Sequence, residues 1–293
     1  MINNIGNGKR NLVWHEEFDT EKIDRTKWDF SRLMTNKELT YNNSVKHARI
    51  KNGKLRLQVN SSGDTYSLPE SITTQYKMLF KYGHVEMRAC VPFRHGAWPS
   101  FWAKSDTPFS TRKTDGTQNW FSEIDIFEVF SAVDYCVPNL HKWGHGTHAT
   151  APRTENGREG VYVFKNPANL NNEYHIYALT WDKDYMKFEI DGEEYFSLCI
   201  NEKSRFVSNE FPDVSGFHDP HYLIINNEVF TKSLPWYPDG SLLSKEDKMP
   251  ITYDIDWIRL YQNPETDTLI CGEKLFDAYR GWRGWYQEYQ QLK

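Results

Sequence analysis

The hexapeptide Glu123-Ile124-Asp125-Ile126-Phe127-Glu128 combines residue types and spacings that can do chemistry. On a regular strand, residues two apart project to one face, so Glu123 and Asp125 would stand side by side while Ile124 and Ile126 enter a core. Strict alternation would turn Glu128 the other way. One extra residue between Asp125 and Glu128, forming a bulge, would reset the phase and line all three acids on one face. The adjacent apolar pair Ile126-Phe127 is what such a bulge requires. Three close carboxylates repel one another, so at least one should stay protonated near neutral pH. Glycoside hydrolysis needs such a set: one ionised carboxylate to attack the anomeric carbon and one protonated carboxyl to give its proton to the leaving oxygen. Standing alone, the hexapeptide also reads as a solvated strand face bearing acids.

The elements that must position these acids are strands. Leu55, Leu57 and Val59 alternate with Arg56 and Gln58, and Val85, Met87, Ala89 and Val91 alternate with Glu86, Arg88 and Cys90. Met186, Phe188 and Ile190 repeat the pattern before Asp191-Gly192, a dipeptide favoured in tight hairpins. Further strands are expected at 173–181, 221–226 and 253–261, the last with Tyr253, Ile255, Trp257, Arg259 and Tyr261 on one face. Many short strands between turn signals predict an all-β sandwich or barrel. With no internal repeat and no linker, residues 1–293 read as a single catalytic β-sandwich domain. Residues 263–293 form its C-terminal extension, in which Leu275, Tyr279, Trp282 and Tyr286 have roughly helical spacing weakened by Gly281 and Gly284.

Composition narrows the function classes. A net charge of −5 supplies no basic face for nucleic acid or an anionic membrane, and no apolar run approaches the length of a membrane span. The 11 Trp, 17 Tyr and 17 Phe suit either an aromatic sandwich core or flat surfaces on which pyranose rings stack. Cys90, Cys136, Cys199 and Cys271 are far apart, without zinc-ligand spacing, and their disulfide state is open. Met1 to Asn11 is polar and lacks the apolar stretch of a signal peptide, which fits a cytoplasmic protein or a secreted one whose leader lies outside this chain.

The acid hexapeptide resembles the E-x-D-x-x-E active-site strand of glycoside hydrolase family 16, and the resemblance extends over most of the chain. Trp14-His15-Glu16-Glu17-Phe18-Asp19 with Lys27-Trp28 is similar to the family's opening strand, followed by Glu38-Leu39-Thr40-Tyr41. Tyr82-Gly83-His84-Val85-Glu86-Met87-Arg88-Ala89 and Trp98-Pro99-Ser100-Phe101-Trp102 resemble its hallmark run. Asn139-Leu140-His141 and the segments 173–181 and 253–262 follow in the family's order. The resemblance implies a β-jelly-roll of two antiparallel sheets with a concave cleft and a retaining endo-β-glycosidase activity. Within that expectation Glu123 is the nucleophile, Glu128 the acid/base, and Asp125 the neighbour that orients and tunes Glu123.

It further implies His141 beside the acids and sugar platforms among Trp98 and Trp120, with Trp102 read as possible core. Asn42, Arg88 and Asn226 are additional substrate-binding candidates. Catalysis requires no cofactor, but a structural calcium is expected, since Glu17, the carbonyl of Gly53 and Asp256 match the family's oxygen ligands. The partner is a polysaccharide or oligosaccharide, and the chain is expected to work as a monomer. The family covers β-1,3- and β-1,4-glucan and galactan substrates, host glycans and transglycosylation, so the resemblance leaves the substrate open. Asn227-Glu228-Val229-Phe230 stands where many laminarinases carry small residues and paired glycines. The polar loops 105–119 and 143–166, with Arg112, Lys113 and Arg153, would line the cleft.

Overall fold

Period-two stretches in the sequence become the strands of two stacked sheets in the computed structural model. It describes residues 3–5, 8–31, 41–62, 65–112, 116, 121–144, 147–150, 160–204, 214–233 and 242–282. In the sheet that carries the acids, the strand order is Thr147–Thr150, Tyr135–Gly144, Phe121–Glu128, Ala97–Lys104, Tyr222–Val229, Ser71–Thr73 and Asp29–Ser31. The second sheet runs Glu193–Cys199, Tyr185–Ile190, His175–Trp181, Gly83–Cys90, Ile251–Gln262, Leu55–Ser62, Thr65–Pro69 and Tyr41–Ser44. Pairing is antiparallel except between Tyr41–Ser44 and Thr65–Pro69. This is the all-β jelly-roll sandwich expected from the sequence.

The main core lies between the sheets. Phe101, Ala103, Ile124, Ile126, Phe127, Leu140, Leu223 and Ile225 from the acid-bearing sheet meet Val85, Met87, Ala89, Leu179, Phe188 and Tyr253 from the other. Each row of inward side chains leaves its alternate neighbours on the opposite face, so burial of Ile124 presents Glu123 and Asp125 outward. At the Asp191-Gly192 hairpin, φ is positive at both residues, 52° and 82°, as a tight two-residue turn demands.

One expectation is corrected. The strand Ile251–Gln262 does not keep one phase: Tyr253 and Ile255 are buried, but so are Ile258 and Leu260, while Trp257 faces out. Arg88 pairs with Trp257 and Ala89 with Ile255, so Asp256 is an extra residue and a bulge shifts the alternation. The C-terminal extension is strand followed by helix. Thr268–Cys271 pairs with Met78–Lys81, and a helix spans Glu273–Tyr279. It ends just before Gly281, whose φ of 77° lies outside the helical region. Leu275 and Ile270 pack on Leu79, Tyr222 and Ile224, which anchors the extension; Tyr286 lies outside the described residues. All four cysteines are free thiols.

Candidate active site

The bulge expected in the acid strand is present. Asp125 pairs with Asn139 but Glu128 pairs with Val137, so Ile126 and Phe127 together face the single residue Pro138. Proline has no N–H to give the ladder, which makes this the point where regular pairing can lapse. Both Ile126 and Phe127 are buried, and Glu128 turns to the side of Glu123 and Asp125. Three rows then cross the sheet. Glu123 stands between Lys104 and His141, Asp125 between Trp102 and Asn139, and Glu128 beside Ser100, which in turn faces Asn226.

Hydrogen bonding separates the acids. Glu128 is 7% exposed and accepts the Trp98 indole N–H on Oε1 at 2.9 Å and the Asn139 amide on Oε2. Burial, and after it the charge of Asp125, push its carboxyl up to about 8, against the lowering pull of Asn139, His141 and Trp98. Glu128 is thus protonated at neutral pH. Asp125, 4% exposed, lies 3.1 Å through Oδ2 from His141 Nε2. Glu123, Asp125 and His141 each present one atom within 4.8 Å of the others, and Glu123 is the more accessible of the two carboxylates in that group. A less buried carboxylate beside a buried, protonated one is the division of labour that glycoside hydrolysis requires.

Residues 33–216, more than half of the chain, match the family model for glycosyl hydrolases family 16. The chain belongs to this family. Among its relatives, a glucan endo-1,3-beta-glucosidase A1 of Niallia circulans is 25% identical over 86% of this chain and 38% of its own length. A beta-glucanase of Rhodothermus marinus is 26% identical over 86% of this chain and 85% of its own. A solved structure described with endo-acting O-glycanases that human gut microbiota express to initiate mucin breakdown superposes with a TM-score of 0.65 at 25% identity, covering 88% of this chain and 92% of that one. This chain spans less than two fifths of the Niallia protein.

On this family 16 framework, the other candidate residues distribute unevenly. Trp98 and His141 sit beside the acids. Asn226 is on the same face, but its amide is committed: it accepts the Trp102 indole N–H at 2.7 Å and donates to Ser100 Oγ at 3.2 Å. Trp102, read from sequence as possible core, is half-buried: it shares the face of Trp98, an even number of positions away, while Phe101 and Ala103 take the main core, and it packs against the smaller cluster of Leu79, Tyr222, Ile224, Ile270 and Leu275. Trp120, Lys113, Arg153 and the side chain of Asn42 lie outside the described residues. Arg112 is exposed and donates to the carbonyl of Gly116 at 3.0 Å, within its own loop.

Arg88 is not near the acids. It lies on Gly83–Cys90 in the second sheet, where Met87 and Ala89 face the core and send Arg88 to the outer surface. There it bonds Asp256 and covers the Tyr174 ring at 4.6 Å. That pairing also bears on the calcium expectation. Asp256 is held by Arg88 and by Lys54 at 2.9 Å, and Glu17 by a two-point bond to Arg259 at 3.0 and 2.9 Å. Gly53, with φ 68° after Asn52 at 56°, serves the turn between Lys51 and Lys54. Protein cations already neutralise the two carboxylates, so these residues do not fit a calcium ion.

Four cleft-face residues escaped the sequence reading: Asn139, Ser100, Lys104 and Glu228. Parity was the available signal. Asn139 is two residues before His141, Ser100 and Lys104 are in step with Trp98, and Glu228 is two after Asn226. Lys104 places its ammonium 4.7 Å from the Phe121 ring centre in the row of Glu123.

Proposed function

We propose that this family 16 protein is a retaining endo-β-glycosidase that hydrolyses internal β-linkages of a polysaccharide or long glycan, acting as a monomer. The observation that carries the reading is the bulge that brings a protonated, doubly hydrogen-bonded Glu128 to the face of Glu123 and Asp125. In the first step Glu123 attacks the anomeric carbon while Glu128 gives its proton to the departing glycosidic oxygen. In the second, Glu128, now ionised, takes a proton from water, and the resulting hydroxide oxygen displaces Glu123 with net retention. Asp125, bridged to His141, orients Glu123 and supplies part of the charge that keeps Glu128 protonated.

Each half of this cycle needs a different state of Glu128. Burial favours the neutral acid that the first step consumes, while the Trp98 and Asn139 donors favour the carboxylate that the second step uses. The carboxyl groups of Glu123 and Glu128 are expected about 5–5.5 Å apart, which leaves no room for a water between them and so selects retention. The glucan-cleaving names of the Niallia and Rhodothermus relatives support β-1,3- or β-1,4-glucan as substrate, and galactan-type chains remain within the same mechanism.

The test is a panel of laminarin, lichenan, agarose, carrageenan, xyloglucan and keratan-type glycans, with product sizing and NMR of the first anomer formed. Mid-length products with the β anomer appearing first support the reading. Monosaccharide release from chain ends, or an α anomer, would overturn it. Product lengths that grow with added acceptor sugar would instead identify a transglycosylase.

A further inference from the structure

Glu228 is a fourth acid on the cleft face. It lies on Tyr222–Val229 directly opposite Trp98, whose indole bonds Glu128 and stacks on Phe230 with ring centres 4.9 Å apart. Leu223, Ile225 and Val229 turn the other way into the interior, so Glu228 shares the face of Asn226, Ser100 and Trp98. It is 9% exposed, and among the described residues no hydrogen bond or ion pair engages its carboxyl. Burial, and then the nearby charge of Glu128, push its carboxyl up to about 7.

We propose that Glu228 is a substrate-recognition residue whose carboxyl group accepts a hydrogen bond from an uncharged donor of the sugar lying over Trp98, and which excludes sulfated or carboxylated sugars from that position. The inference rests on the glycosidase reading and names a specificity determinant within the same cleft. Two features support it. The position pairs an aromatic ring, Trp98, with a carboxyl on the residue directly opposite it in the register, the combination by which a pyranose is held by its C–H face and fixed in rotation by a hydroxyl or amide N–H. A sugar sulfate there would face the ionised fraction of Glu228 in a poorly screened site. Lys104, a cation on this face, stands at the far end of the strands, in the row of Glu123.

The experiment compares wild type, Glu228→Ala and Glu228→Gln on laminarin, lichenan and keratan-type oligosaccharides and on κ-carrageenan oligosaccharides. Glu228→Ala is expected to raise KM for the preferred neutral chain about tenfold while kcat changes less than about threefold, the pattern of lost binding shared by ground and transition states. Glu228→Gln is expected to melt no lower than wild type and to narrow the preference for neutral over sulfated chains. An unchanged KM in Glu228→Ala, or an unchanged preference in Glu228→Gln, would overturn the inference while leaving the glycosidase reading intact. If wild type cleaves none of these chains, the glycosidase reading falls, and the inference is then decided by calorimetric titration of laminarihexaose into Glu123→Ala and Glu123→Ala/Glu228→Ala. A Kd about tenfold weaker in the double variant supports it; equal Kd values, or no binding to either, overturn it.

Discussion

Trp98 donates its indole N–H to Glu128 Oε1 at 2.9 Å, so the ring proposed to carry a sugar is bonded to the carboxyl proposed to protonate the leaving oxygen. The bond favours the ionised form of Glu128 and opposes the burial that holds it neutral. Trp98→Phe keeps an aromatic face and deletes the donor. The acid should then titrate higher, moving the basic limb of kcat/KM upward, while kcat falls on the order of tenfold because the carboxyl loses an orienting partner. A pH series of initial rates checks both directions, and a basic limb that stays in place would remove the bond from the mechanism.

The raised carboxyl of Glu128 also sets a pH dependence of stability. Its folded value, about 8, lies above the ordinary 4.5, so the fold binds this proton more tightly than the unfolded chain does. The associated stability is fully present below about 4.5 and is lost as pH rises through about 8. Glu128→Gln lacks the ionisation. Its melting temperature relative to wild type should climb between about pH 5 and about pH 8 and level off above, as scanning calorimetry at several pH values would record. A constant difference across that range would contradict the burial argument.

Asp125→Asn tests the coupling between acids. Removing the charge takes away one cause that raises Glu128, so the basic limb should move to lower pH. His141 also loses a carboxylate 3.1 Å away. Activity should drop by about 10- to 100-fold without vanishing, because the proposed mechanism gives Asp125 an orienting and tuning role and no bond to the sugar. Complete inactivity with unchanged melting temperature would require a direct role for Asp125 instead.

Unequal consequences are expected for the two glutamates. Glu123→Ala should abolish turnover of natural chains, whereas Glu128→Ala should retain cleavage of aryl glycosides with good leaving groups and regain rate with azide, yielding a β-glycosyl azide. Azide attacks the intermediate without needing a base, the function that the proposed mechanism gives to Glu128. Rescue of Glu123→Ala giving a β product would reverse the assignment.

Chelation offers a simple check on the outer surface. With Glu17 on Arg259 and Asp256 on Lys54 and Arg88, EDTA should leave the melting temperature unchanged, and added calcium should not raise it. Asp256→Ala should cost no more than about 1 kcal/mol, since these pairs are partly solvated. A calcium-dependent rise of several degrees would restore a metal site there.

Local pattern was enough for much of this protein. Strand period, the Asp191-Gly192 turn, the three acids and the need for a bulge between Asp125 and Glu128 follow from residue size, polarity and order, which neighbouring residues alone supply. The tertiary structure decided what the two faces of each strand meet. Arg88 and Trp98 both precede a core-facing residue on strands of similar pattern, yet one looks out from the second sheet toward Asp256 and the other into the cleft toward Glu128. Period two separates faces but does not label them, since only the packed sheet makes one face interior. The phase change at Asp256 depended on a partner strand, and the raised Glu128 and Glu228 depended on burial by segments a hundred residues apart. Their chemistry comes from a low-dielectric neighbourhood that no stretch of sequence contains by itself.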